Sequence, residues 1–206
     1  MPRILTLFLS FSILSIVGCN KQNSTFTSPP TQAGSIIPLA VGNTWLMADT
    51  SWDQNGAAFN VQVDTFRVVR DTLIAGEKAY IMHWRRIEYV VVNRSDGCYQ
   101  GLGGLRGPVT LQYRFPGNVG DSIHASIYYN ATMKLVSVDS TVISPAGSFH
   151  CYVYRTLEFQ SPYLFIFNDI LDPNLGWIGS DMYRNFSPSA PLRLAERSRL
   201  QSNVLK

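Results

Sequence analysis

Charge is what this chain has least of. Charged residues make up 15% of the 206, against about 25% in an ordinary soluble domain. The balance is even, 17 Lys and Arg against 14 Asp and Glu, for a formal net charge of +3. With no basic run and so small a net charge, nucleic acid is excluded as an expected partner. Cysteine is nearly absent: the chain has three and no C-x-x-C. His83, His124 and His150 are scattered, so no metal site is expected. Catalytic signatures are missing too: no G-x-S-x-G, no H-E-x-x-H, no P-loop, no S-x-x-K. The expectation is therefore no enzyme, no catalytic residue and no cofactor. The Gly-rich stretch 101–107 does not change this, because a phosphate cradle needs a following helix and 109–115 reads as a strand.

Long apolar runs are also lacking. The longest uncharged apolar segment, Ile4 to Val17, has 14 residues, short of the roughly 20 that span a bilayer. Behind the amine and Arg3 it has the proportions of a signal-peptide core. It ends in Ile16-Val17-Gly18-Cys19, which resembles the lipobox of bacterial lipoproteins. The resemblance implies cleavage after residue 18 and lipid attachment, palmitate included, at Cys19. It implies export and a membrane anchor. Asn20, in place of an aspartate, favours the outer membrane, on its periplasmic or its outer face. Residues 20–35 are polar and rich in Ser and Thr, with Pro29-Pro30, the composition of a tether. A 16-residue flexible coil spans about 20–24 Å. The expected organisation is a signal peptide at 1–18, lipidated Cys and tether at 19–35, one β-rich domain at 36–200 and a tail at 201–206.

What is present in quantity is strand chemistry. Aromatics reach 12% and there are 15 Gly. Residues 58–69 alternate, with Phe59, Val61, Val63 and Thr65 on one side and Asn60, Gln62, Asp64 and Phe66 on the other. Residues 78–84, 87–93, 109–115, 123–130, 132–143 and 148–159 also read as strands, parted by Asp96-Gly97, Pro116-Gly117 and Ala146-Gly147. No segment carries a sustained helical stripe. The one helical candidate is a short piece near 165–171, stopped before Pro173.

The sequence also echoes itself. Pro38-x-x-Val41-Gly42-Asn43-Thr44-Trp45 resembles Pro116-x-x-Val119-Gly120-Asp121-Ser122-Ile123. Asp71-Thr72-Leu73-Ile74-Ala75-Gly76 resembles Ser140-Thr141-Val142-Ile143 with Ala146-Gly147. Two half-repeats of about 75 residues would account for both; recurrent turn chemistry would too. The expected fold class is all-β: one domain of antiparallel strands forming a curved sheet or half-open barrel. Trp45 and Phe149 are expected core anchors.

Three ordered motifs carry a wider resemblance: Pro38-Leu39-x-Val41-Gly42-Asn43-Thr44-Trp45, Pro145-Ala146-Gly147-Ser148-Phe149-x-Cys151 and Pro173-x-Leu175-Gly176-x-Ile178. Together they resemble uncharacterised bacterial lipoproteins similar in architecture to the LolA/LolB type of lipoprotein carrier. That resemblance implies a curved antiparallel sheet closed on one side.

Export puts Cys98 and Cys151 in an oxidising compartment, where a disulfide is permitted. The alternative is two reduced thiols buried as small hydrophobes. The run Tyr163-Leu164-Phe165-Ile166-Phe167, with Trp177 beyond it, is either core, the lid of an apolar pocket, or an exposed contact. Asp49, Asp53 and Asp64 are expected on solvent faces or in loops, and Arg85-Arg86 in a solvated turn. Two functions fit: a non-enzymatic structural or interaction role at the cell envelope, with a protein partner, or a carrier of lipid or another apolar ligand. A carrier needs an apolar cavity of roughly 300–1,000 Å³.

Overall fold

The computed structural model describes residues 35–102, 108–125 and 131–206. Cys19 and the tether up to residue 34 lie outside the described residues. So do 103–107 of the Gly-rich stretch and 126–130 of the strand expected at 123–130.

Alternation decides the local structure, and the described residues contain no helix. Twelve strands run in order: β1 (Thr44–Trp52), β2 (Ala58–Ile74), β3 (Glu77–Trp84), β4 (Ile87–Arg94), β5 (Gly97–Leu102), β6 (Thr110–Arg114), β7 (Ser122–Ala125), β8 (Ala131–Ser144), β9 (Gly147–Gln160), β10 (Tyr163–Asp172), β11 (Gly176–Arg184) and β12 (Arg193–Val204). The short helix expected near 165–171 is corrected. Those residues lie in β10, paired with β9 on one side and β11 on the other. Each residue's backbone groups are met across the ladder, which a short helix in that slot would leave open.

All pairings are antiparallel and the sheet order is β6-β5-β4-β3-β2-β1-β12-β11-β10-β9-β8-β7. Each strand thus pairs with its neighbours in sequence except β6 and β7, which end the order, and the one pairing between strands not adjacent in sequence is β1 with β12. That pairing makes one wall of the two ends of the chain, and β6 and β7 face each other across the remaining seam. The result is one nearly closed, barrel-like sheet. β12 runs to Val204, and the Lys206 backbone N–H donates to Asn43 Oδ1 at 2.8 Å, so 201–204 belong to the wall.

The two halves repeat in hydrogen bonds, not only in letters. The Asn43 N–H donates to Ala40 O and the Asp121 N–H to Asn118 O, both at 3.0 Å. Gly42 N–H donates to Val68 O at 2.8 Å and Gly120 N–H to Leu135 O at 2.9 Å. Val68 and Leu135 return the bond to Asn43 O and Asp121 O at 2.9 and 2.8 Å. Both glycines have left-handed φ, +96° and +105°, which a side chain would strain. The Ala75-Gly76 and Ala146-Gly147 turns then join β2 to β3 and β8 to β9. Six strands follow each copy of the motif. The β1–β12 pairing is therefore the counterpart of the β6–β7 seam.

The interior is apolar and aromatic. Trp45, Met47, Val68, Met82, Leu135, Leu171, Ile178 and Leu200 are fully buried or nearly so. Ser35, Ile36 and Ile37 are buried as well, so the domain begins one residue before the expected boundary. Asn93 Nδ2, near the end of β4, donates to Ser35 Oγ at 2.7 Å and to Ile37 O at 2.8 Å. These bonds hold Ser35 and Ile37 to the end of β4.

Candidate functional site

The barrel interior is where a ligand would sit, and the protein's own rings occupy it. Trp84 stacks on Phe66 with centroids 5.1 Å apart, and Phe66 stacks on Trp177 at 5.1 Å. Trp177 meets Trp45 edge-on at 5.8 Å and Tyr113 at 6.5 Å. Tyr113 meets Tyr154 at 5.1 Å. This aromatic column crosses from strands of the first half to strands of the second. Trp45 Nε1 donates to Leu175 O, and Tyr154 Oη to Arg114 O at 2.7 Å, so these two buried tips are satisfied, whereas the buried Trp84 Nε1 has no partner among the described residues. A void bordered by Phe66, Met82, Tyr89 and Trp177 measures about 10 Å³, one water at most. A second, open depression of about 220 Å³ lies outside, between Gln54-Asn55 and Phe186–Arg193. Neither provides the apolar chamber that a carrier needs.

The run expected as core, lid or contact is part of the wall. Phe165 and Phe167 stack on each other at 6.2 Å. They lie opposite Glu158 and Thr156 of β9, both buried, so they face inward. Leu164 and Ile166 face outward beside Phe159 and Leu157. Tyr163, at the strand's start, is 41% exposed. Trp177 is a core residue that touches none of these rings. Cys98 and Cys151 are both free, buried thiols. Burial pushes each thiol up to about 12.

Two polar groups inside the barrel are not where the sequence places them. Asp49 follows Trp45 and Met47 on the inward face of β1, and Asp64 precedes Phe66 on the inward face of β2. The expectation of solvent-facing carboxylates is therefore corrected. Arg85, held at φ +54° in the β3–β4 turn, pairs with Asp64 and reaches Asp49 at 3.2 Å; its turn is not simply solvated. Burial, together with the hydrogen bond to Asp64, raises Asp49 to about 6. For Asp64, burial pulls upward, but the Arg85 guanidinium and Asp49 outweigh it and lower the pKa. Asp53 caps its own turn, accepting from the Asn55 and Ala57 N–H groups at 2.8 and 2.9 Å. Asp169, also inward, accepts from Tyr113 Oη at 3.1 Å. Burial raises it to about 6 against that bond. The signal for Asp49 was present in the alternation Trp45-x-Met47-x-Asp49. Asp169 has the same pattern in Phe165-x-Phe167-x-Asp169, blurred by the apolar Leu164, Ile166 and Ile170 at the alternate positions.

Among the described residues no group of three or more His, Cys, Asp or Glu could hold a metal ion. The surface carries an unusual feature instead. Phe59, Val61 and Val63 project outward from β2 and are 68, 71 and 58% exposed.

No protein-family model matches the chain, and no curated protein does. Among solved structures, a protein of Bacteroides fragilis provisionally described as exported, with a YmcC-like fold, is similar at 14% identity and a TM-score of 0.52. A protein of Parabacteroides distasonis provisionally described as a lipoprotein aligns at 13% identity and a TM-score of 0.46. Each alignment covers 82% of this chain and 98% of the other. The first likeness shows a shared barrel-like β fold.

Proposed function

We propose that the protein is an exported, lipid-anchored component of a bacterial cell envelope, most consistent with the outer membrane, whose barrel makes contacts with other envelope proteins and catalyses nothing. The observation that carries the interaction role is the filled interior: its volume is taken by Trp45, Phe66, Trp84 and Trp177. A solid barrel offers its outer surface rather than a chamber. Among the described residues the barrel interior holds a void of only about 10 Å³ beside Phe66 and Trp177, which speaks against the carrier reading and its likeness to the LolA/LolB type. Ile16-Val17-Gly18-Cys19 supports the anchor, and two or more acyl chains on Cys19 would hold it durably, at about 0.8 kcal/mol per buried CH₂.

The test is metabolic labelling with radioactive palmitate. The wild-type chain is expected to take up label and sediment with membranes, whereas Cys19→Ser is expected to do neither. Unlabelled wild type would overturn the anchor. Native mass spectrometry of the delipidated domain checks the second part: bound apolar mass of constant size would revive the carrier.

A further inference from the structure

Among the described residues, the first half of the barrel leaves a strand edge unpaired. Residues 58–65 of β2 pair with β1, from Ala58 opposite Trp52 to Thr65 opposite Leu46. On the other side β3 begins its pairing only at Phe66, opposite Trp84. Eight residues of β2 therefore stand above the β3–β4 turn, and among the described residues no strand pairs with that side. The second half covers its equivalent. β8 pairs with β7 from Ala131 to Lys134 and with β9 from Thr132 onward. The bare edge is thus a departure from the protein's own repeat.

Chains ordinarily protect such an edge with charge, proline or a bulge. This one has no charge and no proline between Phe59 and Val63, its register shift against β1 falls at Phe59 beside the β1–β2 turn, and it presents three exposed apolar side chains on alternate positions. Asn60, Gln62 and Asp64 point the other way, and Asp64 is already paired with Arg85. Deepening the interaction role above, on which this rests, we infer that residues 58–65 are a docking edge for an extended segment of another envelope protein, added as a thirteenth strand. Unpaired N–H and C=O groups supply affinity, and alternate side chains supply selectivity. The segment has about eight residues. It places apolar, preferably β-branched or aromatic, side chains beside Phe59, Val61 and Val63, and neutral polar ones beside Asn60 and Gln62.

Two other occupants fit less well. Turns alternate between the two rims of a meander. Ser35, bonded to Asn93 beside the β4–β5 turn, lies at the rim opposite the β1–β2 turn, near which the bare edge lies. A tether from Ser35 therefore starts at the rim farther from the edge and does not hold the edge against the lipid. A second copy would pair its β2 antiparallel to the first, sending the two tethers in opposite directions, so two anchors in one membrane oppose it.

The test uses the full-length protein in its native host. A photoreactive phenylalanine analogue is placed singly at positions 59, 61 and 63, and at Leu73 as an exposed control near the other rim. The expected result is cross-linking to one other protein, within one segment, at sites two residues apart as the probe moves by two. Val61→Lys is expected to reduce capture from position 63 at least tenfold, and Val61→Ile to retain it. Scattered sites, lipid adducts, cross-links to a second copy, or no cross-link from all three positions would each overturn the inference. Protein cross-links from Leu73 alone would overturn the edge and leave the interaction role standing. None from any position would count against both.

Discussion

Asp169 shows how much one side chain can report about this barrel. Its carboxyl faces the core, hydrogen-bonded to Tyr113 Oη, and burial raises it from 3.8 to about 6. The folded state therefore keeps a proton that the unfolded chain releases between about pH 4 and 6. More protons are bound folded than unfolded, so this group lowers stability as pH rises through that window. Asp49, raised the same way, acts in the same direction. Asp169→Asn keeps an acceptor for Tyr113 and removes the titration. It should flatten the pH dependence and stabilise the protein at pH 7.5 by about 1–2 kcal/mol, with little change at pH 4; thermal melts at the two pH values measure it. The cysteines give a second residue-scale prediction. With both thiols buried and pushed to about 12, the thiolate is scarce at pH 8. An aromatic disulfide reagent should leave Cys98 and Cys151 unmodified in the native protein and titrate both in denaturant.

At the scale of elements, turns are the most legible feature. Asp96-Gly97 and Ala146-Gly147 mark two hairpins, and Pro116-Gly117 falls in the connection between β6 and β7. Gly97 is the most constrained: φ is +149°, and a Cβ there would lie 2.1 Å from Tyr113 O. Gly97→Ala should cost more than about 2 kcal/mol, read as a lower denaturation midpoint with an unchanged slope. Strands were legible where alternation is clean, as in β2, β8 and β9. β12 was not, because Arg193-Leu-Ala-Glu-Arg-Ser-Arg-Leu scatters charge along a strand. Its arginines sit on the outer face, where Arg197 and Arg199 meet Asp181 of β11 at 2.8 and 3.0 Å. β10 misled for the opposite reason: a continuous apolar run has no period, so helix and strand look alike. Of the candidate site, Cys19 and Trp177 were visible as residues of interest. The bare β2 edge was not, since it depends on where β3 stops.

The whole molecule is held by contacts distant in sequence. β1 closes on β12, and the aromatic column ties Trp84 and Phe66 to Tyr113 and Tyr154. The two half-repeats therefore share one core and should unfold as one. Near-ultraviolet dichroism, reporting the packed tryptophans, and far-ultraviolet dichroism should give coincident transitions. Deleting residues 193–206 removes the partner of both β1 and β11, and should abolish the near-ultraviolet signal. Either half behaving independently would show as a second transition. The sequence by itself determined the all-β character, the turn positions and the repeated Val-Gly-Asn/Asp strand starts, because these rest on φ preferences and on a side-chain period of two within a few residues. Only the tertiary structure decided which face of each strand looks inward, that β1 closes on β12, that aromatic rings fill the space a ligand would need, and that β2 outruns its neighbour. Those depend on register between strands up to about 160 positions apart, and a local pattern sets the alternation of a strand without setting the level at which its partner meets it.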